Sequence, residues 1–154
     1  MQVQEILERK GNQVYLIGPD YTMRQAAAKI AAWNVGAALV TDSNDVLLGI
    51  ISERDFLRAL VKFGGSVLDL RVSVLMTKSV VTCVPETTVS DALSLMSQHH
   101  FRHLPVVRDG QILGLLSIRD LLECRLEALE EQDRHQDYGH ASRPVGTNNG
   151  AASA

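Results

Sequence analysis

Hydrophobic and polar positions along the chain predict short strands and amphipathic helices that occur twice in the same order. In each half a β-prone run leads through a proline to a threonine that can cap a helix, and the two runs are residues 14–17 and 80–84. Helices are predicted over residues 23–33 and 89–99, because apolar side chains recur there at three- and four-residue spacing. Each half therefore begins with a strand and a helix.

The second part of each half is typical of a hairpin followed by another helix. Strands are predicted at residues 37–41 and 104–107, and polar turns lead from each of them into a second strand. Closing helices are expected to begin at Ser52 and Ser117. The predicted order in each half is strand, helix, strand, strand, helix.

The two halves are also similar in sequence. When the chain is aligned with itself at a shift of 66 residues, Pro19 matches Pro85. At a shift of 65 residues, the segment LGIISERDFL (48–57) aligns with LGLLSIRDLL (113–122), and six of the ten positions are identical. A half of about 60 residues buries only about 60% of its unfolded surface, so the halves are expected to pack on each other through their sheets. The predicted fold class is α+β, with two pseudo-symmetric β-α-β-β-α repeats.

The predicted boundaries follow the repeat. Residues 1–66 hold the first repeat with an N-terminal lead-in, 67–128 hold the second repeat with a connecting segment, and 129–154 hold a helix extension and a tail. The charged closing helix is expected to run to residue 136. Thirteen of the sixteen residues in 139–154 are Gly, Ala, Ser, Pro, Thr or Asn, a composition that predicts disorder.

Composition and charge exclude several classes of function. The chain is 45% hydrophobic and 21% charged, which is close to the globular average. Its net charge of −3 leaves no basic surplus for a phosphate backbone, so we expect no nucleic-acid partner. Without a long apolar stretch or a signal core, a cytoplasmic protein with no membrane partner is expected. Cys83 and Cys124 stand alone and are expected to be buried thiols.

The pattern that could carry chemistry is a Gly-h-h-Ser-x-x-Asp motif, where h is hydrophobic, at residues 49–55 and 114–120. Its structural interpretation is a capping box, with serine at the N-cap and the carboxylate in the first turn. Its functional interpretation uses the same geometry, because free backbone N–H groups suit phosphate and the carboxylate can accept both hydrogens of a ribose diol. Arg54 and Arg119 would add charge-assisted contacts to phosphate.

No pattern in the sequence predicts catalysis or a metal site. Neither a nucleophile with an ordered base nor a glycine-rich phosphate loop before a lysine is present, so we assign no catalytic residue. His99, His100 and His103 could suggest a zinc or nickel site, but the predicted helix ends near them and no carboxylate or thiolate completes the set. We therefore expect no metal, and a structural or phosphate-contacting role for His103.

The sequence resembles a tandem pair of cystathionine-β-synthase (CBS) domains, a Bateman module, over residues 1–128. The matching segments are VSVLMT at 72–77, VVTCVP at 80–85 and RHLPVV at 102–107, together with both Gly-h-h-Ser-x-x-Asp motifs. This resemblance implies clefts between the repeats that bind adenosine-containing nucleotides. In the family, the motif aspartate holds the ribose and the hydroxyl and basic residues hold phosphate.

The resemblance implies two sets of ligand-binding residues. The second site would use Asp120 for the ribose, Ser117 and Arg119 near phosphate, and Val81, Leu104 and Pro105 around the base, while His103 is a ligand-binding candidate from its own pattern. The first site would use Asp55, Ser52, Arg54, Tyr15, Ala37 and Ala38. Ala38-Leu39 stands in the first repeat where the second has Leu-Pro, so the two base pockets are expected to differ in shape.

These observations lead to an expected function and one alternative. We expect a regulatory module without catalytic activity that binds AMP, ATP or an NAD-like nucleotide and shifts its conformation or its partner association. The alternative is a structural homodimerisation scaffold without a ligand. The resemblance also implies a flat homodimer, and because no effector domain is evident in these 154 residues, the pair is expected to stand alone and to act on another protein. Which nucleotide is preferred, S-adenosylmethionine and cyclic dinucleotides included, stays open at this point.

Overall fold

The computed structural model describes the backbone of residues 1–140 and the side chains of residues 1–134. The helices are α1 (Val3–Lys10), α2 (Met23–Trp33), α3 (Glu53–Phe63), α4 (Val72–Leu75), α5 (Val89–His99) and α6 (Ile118–His140), and a short 3-10 helix covers Gly64–Asp69. The strands are β1 (Leu16–Ile17), β2 (Ala37–Thr41), β3 (Leu47–Ser52), β4 (His103–Arg108) and β5 (Gln111–Ser117). The predicted α+β class with two repeats, each with its own sheet, is confirmed.

Each repeat has its own sheet, but the two sheets differ by one strand. In the first repeat β1 pairs parallel to β2, and β2 pairs antiparallel to β3. In the second repeat only β4 and β5 form a sheet, so the predicted strand at residues 80–84 is wrong. It is reduced to a single parallel bridge between Cys83 and Val106.

A proline in the second hairpin explains the missing strand. In the first repeat, the Leu39 backbone N–H donates to the Tyr15 carbonyl at 2.9 Å, which extends the pairing of β1 with β2. The residue at the same place in the second repeat is Pro105, which has no N–H to donate. The carbonyl of Val81 therefore loses the partner that its counterpart Tyr15 has.

The two lead-in segments are exchanged between the repeats. Val3, Ile6 and Leu7 of α1 belong to the hydrophobic core of the second repeat. Val67 and Val72, from the connection between the repeats, belong to the core of the first. The N-terminal lead-in that sequence order groups with the first repeat thus packs against the second.

Strand β2 is buried on both of its faces. All five of its residues are buried, although neighbouring side chains of a strand point to opposite faces. Ala38 and Val40 pack into the core of their own repeat, while Ala37 and Leu39 are buried on the other face. A strand covered on both faces needs an element on each side, as expected for repeats that pack through their sheets.

The closing helix of the second repeat is longer than expected. Helix α6 continues to His140, so Gly139 and His140, which were predicted to start the disordered tail, are helical. The rest of that predicted tail, residues 141–154, lies outside the described residues. In the part of the chain that the structure describes, no helix is both long enough and apolar enough to cross a membrane.

Candidate functional site

Both copies of the repeated motif form capping boxes at a helix start. The Ser52 backbone N–H and hydroxyl each donate to Asp55 Oδ2 at 2.8 Å. The Ser117 backbone N–H and hydroxyl donate to Asp120 Oδ2 at 2.7 and 2.9 Å. The structural interpretation of the motif is therefore realised in both repeats. The capping box uses only the Oδ2 atom of each aspartate. The functional interpretation therefore depends on what surrounds the Oδ1 atom.

A cavity of about 400 Å³, which we call the first cleft, lies where the start of α3 faces the second repeat. The first repeat contributes the beginning of α3 with Ser52 and Asp55. The connection between the repeats contributes Thr77, Ser79, Val80 and Val81, and the end of α5 with the following turn contributes residues 99–103. The first cleft is thus built from both repeats, and Asp55 lies on its wall.

Three arginines line the first cleft together with two carboxylates. The arginines are Arg54, Arg58 and Arg102, and the carboxylates are those of Glu53 and Asp55. The guanidinium groups are permanently charged, so the cleft has a net positive lining that suits a phosphate group. Sequence reasoning found Arg54 but missed Arg58, although the spacing of four residues places both on one face of α3.

Arg54 also ties the two repeats together across the first cleft. Its Nη1 donates to the backbone carbonyl of His100 at 2.9 Å. His100 has a left-handed backbone with φ of 56° and ends α5, so its carbonyl belongs to the helix end, where a cation is favourable. A group that binds beside Arg54 would therefore contact both repeats at once.

His103 lies at the junction between the two repeats. Its ring atoms Cε1 and Nε2 come within 3.1 Å of the position that a Cβ on Gly36 would take, so a larger residue at position 36 would require the imidazole ring to shift by a few tenths of an ångström. Burial lowers the pKa of His103 below the usual value for histidine, and the negative charges of Asp120 and Glu53 oppose this shift only in part. The neutral imidazole is thereby favoured in the first cleft.

Asp120, the counterpart of Asp55, has a different environment. It lines a smaller cavity of about 200 Å³, the second cleft, together with Ile6, Lys10 and Cys124. Burial alone would raise the pKa of Asp120, but hydrogen bonds from Lys10 and Ser117 outweigh it and leave the pKa lower than usual. Asp120 is therefore held as a carboxylate that already has a cation beside it.

The structure brings together a different set of residues from the one that the resemblance implied. Val81, which was assigned to the site of Asp120, and His103, a phosphate-contacting candidate, line the first cleft with Asp55. Tyr15 instead packs against Trp33, with ring centroids 5.0 Å apart, and Ala37 and Ala38 are buried in β2. These three residues do not line the cleft of Asp55 to which we assigned them.

Three residues assigned to the second site also lie elsewhere. Leu104 and Pro105 are buried in β4 rather than at a cavity wall. The Arg119 side chain is 83% exposed and its Nε donates to Glu123 Oε1 at 3.0 Å, one turn along α6. It is turned to the helix surface, away from a phosphate position beside Ser117.

Two of the side chains that sequence reasoning missed are hydroxyls from the connecting segment. Thr77 and Ser79 line the first cleft beside Val80 and Val81. No pattern in the sequence points to them, because they approach Asp55 only through the folding of the connection across β3. Within residues 1–134, no group of three or more His, Cys, Asp or Glu side chains is arranged to hold a metal ion.

Comparisons with known proteins agree on the family. A family model described as CBS domain matches residues 3–62 and 71–127. The chain is 37% identical over 116 residues to an uncharacterised 17.7 kDa protein of Acidianus ambivalens, covering 75% of this chain and 69% of that protein. It also resembles the crystal structure of the CBS-domain containing protein ATU1752 from Agrobacterium tumefaciens, with a TM-score of 0.79 and 40% identity over 80% of this chain and 92% of that chain.

A further solved relative carries a ligand. The CBS domain protein PAE2072 from Pyrobaculum aerophilum was solved complexed with AMP, and its TM-score is 0.69 with 28% identity over 78% of this chain and 89% of that chain. The chain spans only 21–22% of the length of longer CBS domain-containing proteins of Arabidopsis thaliana that it matches. Because the family model matches both repeats, the chain belongs to the CBS domain family and contains a tandem pair of CBS domains.

Proposed function

We propose that this protein is a regulatory module that binds an adenosine-containing nucleotide in the first cleft. The observation that carries the proposal is the meeting, in one cavity of about 400 Å³, of the Asp55 carboxylate with three arginines drawn from both repeats. A carboxylate suits the ribose diol and guanidinium groups suit phosphate. The AMP complex of PAE2072 supports a ligand of this class.

Each part of the nucleotide has a partner in the first cleft under this proposal. The free oxygen of Asp55 accepts from the ribose hydroxyls, while Ser52 and the start of α3 keep the carboxylate in place. The guanidinium of Arg58, with Arg54 and Arg102 near it, neutralises phosphate. Val80 and Val81 supply apolar surface for the adenine ring.

A ligand in this position would regulate by joining the two repeats. Asp55 belongs to the first repeat and Arg102 to the second, so binding favours whichever relative arrangement lets both make contact. A ligand shifts such an equilibrium only by its difference in affinity for the two states, and a tenfold difference corresponds to about 1.4 kcal/mol. The regulated protein would be another chain, with the module acting in the cytoplasm and without a catalytic step of its own.

The first prediction separates this function from that of a scaffold without ligand. AMP, ATP or NAD at a hundred times its Kd is expected to raise the free energy of unfolding by about 2.7 kcal/mol, because only the folded chain has the cleft. Thermal unfolding monitored with each nucleotide in turn measures the effect as a higher Tm. Mass spectrometry of small molecules that co-purify with the native protein identifies the preferred ligand. An unchanged Tm with all three nucleotides, and no co-purifying nucleotide, would favour the scaffold.

We also propose that the protein is a homodimer that associates through α3 and α6. Both helices expose apolar side chains on one face, and the positions correspond between the repeats: Leu57 with Leu122, and Val61 with Leu126. Val61 is 84% exposed and Leu126 is 59% exposed, and clusters of exposed apolar side chains mark surfaces that a partner covers.

The second prediction tests this face. The double variant Val61→Glu with Leu126→Glu is expected to be monomeric, because association would bury unpaired carboxylates. Light scattering after size-exclusion chromatography gives the mass directly. Val46→Glu is the matched control, since Val46 is also 50% exposed but lies in the β2–β3 turn. A dimer that survives in the double variant, or a monomeric parent protein, would rule out this interface.

A further inference from the structure

We propose that Lys10 is a tethered cation that occupies the ribose position of the second cleft, so that the module binds one nucleotide, at Asp55, rather than two. This inference rests on the proposed function. It assigns to a residue outside both Gly-h-h-Ser-x-x-Asp motifs the role of making the surroundings of the two motif aspartates unequal.

The difference between the surroundings of Asp55 and Asp120 arises from the different lengths of the two lead-in segments. Both lead-ins dock in the same way, because the Val3 N–H donates to the Thr87 carbonyl at 2.9 Å and the Val72 N–H donates to the Tyr21 carbonyl at 2.8 Å. These docking positions are 69 residues apart, whereas the equivalent strand positions Ile17 and Cys83 are 66 apart. The first lead-in therefore has three residues more between its docking point and its strand.

The extra residues lengthen α1 at its C-terminal end. Leu7 and Met76 are equivalent in the two lead-ins, since each lies against the glycine of one motif, Leu7 at Gly114 and Met76 at Gly49. Helix α4 ends at Leu75, just before this point, but α1 continues for three residues beyond Leu7. This added turn ends at Lys10.

The ammonium group of Lys10 bonds directly to the carboxylate of the second cleft. Lys10 Nζ donates to Asp120 Oδ2 at 2.7 Å and to the backbone carbonyl of Leu115 at 3.0 Å. The side chains of the pair are only 32% and 23% exposed, so the contact is less screened than a surface ion pair. In the first repeat, the equivalent carbonyl of Ile50 instead accepts from the Thr77 backbone N–H at 2.9 Å.

Asp55 has no such partner among the side chains that the structure describes. Its Oδ2 accepts only from Ser52, and no lysine or arginine lies within ion-pair distance of it in residues 1–134. A ribose can therefore approach Asp55 without displacing a protein cation. At Asp120, Lys10 bonds to the same Oδ2 that Ser117 holds, so a ribose must reach the other oxygen beside the ammonium group or displace that group from a charge-assisted hydrogen bond.

The two cavities also differ in what lines them. The first cleft, of about 400 Å³, draws on both repeats, whereas the second cleft, of about 200 Å³, is lined only by residues of α1 and α6, with Lys10 among them. Displacing an ammonium group from its hydrogen bond to a carboxylate weakens a competing ligand by roughly ten- to a hundredfold. We therefore expect AMP to fill the first cleft while the second cleft stays empty over the same concentration range.

The test is the number of AMP molecules bound per full-length chain, measured by isothermal titration calorimetry. The parent protein is expected to bind one, and Asp55→Ala to bind none in the same range. Lys10→Met, which keeps the length of the side chain but removes the charge, is expected to bind two, and adding Asp120→Ala to Lys10→Met should remove the second. Lys10→Gln serves as a second neutral variant should Lys10→Met fold poorly.

Arg9→Met is the matched control, because it removes a positive charge from the same turn of α1. Arg9 pairs with Glu127 at 3.1 Å, with both side chains about 60% exposed, and this pair does not involve Asp120. The control is therefore expected to bind one AMP. A second AMP on Arg9→Met would mean that charge in general, and not the Lys10 contact, controls the second cleft, which overturns the inference.

The remaining outcomes separate the inference from the proposed function. Two AMP molecules on the parent protein, or only one on both neutral variants of Lys10, overturn the role of Lys10 and leave nucleotide binding intact. Weaker binding at the existing site in Lys10→Met would also overturn it, because the lysine would then be assisting the ligand. No AMP on the parent protein or on any variant overturns the proposed function, and the inference with it.

Discussion

Replacing Asp55 with alanine is expected to lower the affinity of the protein for AMP by roughly a hundredfold, because hydrogen bonds to a charged group contribute about 1.5–3 kcal/mol each. The carboxylate lies at the wall of the first cleft with one oxygen held by Ser52. Its loss removes the acceptor that we propose for the ribose hydroxyls. Calorimetric titration of the variant beside the parent protein measures the change.

The same substitution also weakens the start of α3, so a control for capping is required. Removing a helix cap costs about 1 kcal/mol of stability. Asp91 provides the match, because it occupies the same place in the first turn of α5 and accepts from the Thr88 hydroxyl at 2.7 Å. It does not line the first cleft. Asp91→Ala is therefore expected to lower stability to a similar degree and to leave AMP affinity unchanged. An equal loss of AMP affinity in the two variants would contradict the assignment of Asp55 to the ribose.

Replacing Gly49 with alanine is expected to lower the free energy of unfolding by roughly 1–3 kcal/mol, the usual cost of overpacking. An added Cβ would lie 2.6 Å from Met76 Sδ and 2.8 Å from the Thr77 backbone oxygen. A backbone atom cannot move aside without disturbing its own hydrogen bonds, which here are the two between Ile50 and Thr77 at 2.9 and 3.0 Å. Because Thr77 lines the first cleft, AMP affinity should fall as well.

Gly114→Ala is the matched variant in the second repeat. The nearest atom to an added Cβ there is Leu7 Cδ2 at 2.5 Å, the far end of a flexible side chain that can turn away. We expect a smaller loss of stability than for Gly49→Ala and no change in AMP affinity. Urea denaturation gives the midpoint of each variant under the same conditions. Equal midpoints for the two variants would mean that the backbone of residue 77 can shift as easily as the Leu7 side chain, which would contradict this prediction.

The elements that sequence reasoning predicted best depend on local interactions. Helices α2 and α5 and strand β2 have the predicted bounds, because their caps, turns and apolar spacing lie within the segments themselves. The strand predicted at residues 80–84 was wrong, although its composition is as β-prone as that of its counterpart. The cause is Pro105, which lies more than twenty residues away in sequence and cannot supply the hydrogen bond that the pairing needs.

The candidate site was predictable in part for the same reason. Ser52 with Asp55, and Ser117 with Asp120, were found from a four-residue spacing, and both pairs form the expected helix starts. The residues opposite each aspartate could not be found in this way. Val81 was assigned to the second site by resemblance to the family, and His103 was a phosphate-contacting candidate, but both line the cleft of Asp55. Residues of one repeat complete the cleft of the other only because of the way the two repeats pack.

What the sequence by itself determined is the duplicated order of elements and the two capped helix starts, since turns, caps and apolar periodicity act between residues a few positions apart. The tertiary structure alone decided which residues share a cleft and which of the two motif aspartates bonds to a lysine. Arg54 reaches the His100 carbonyl across 46 residues, and Lys10 reaches Asp120 across 110. Contacts at such separations follow from how the repeats and their exchanged lead-ins pack, and no local pattern encodes them.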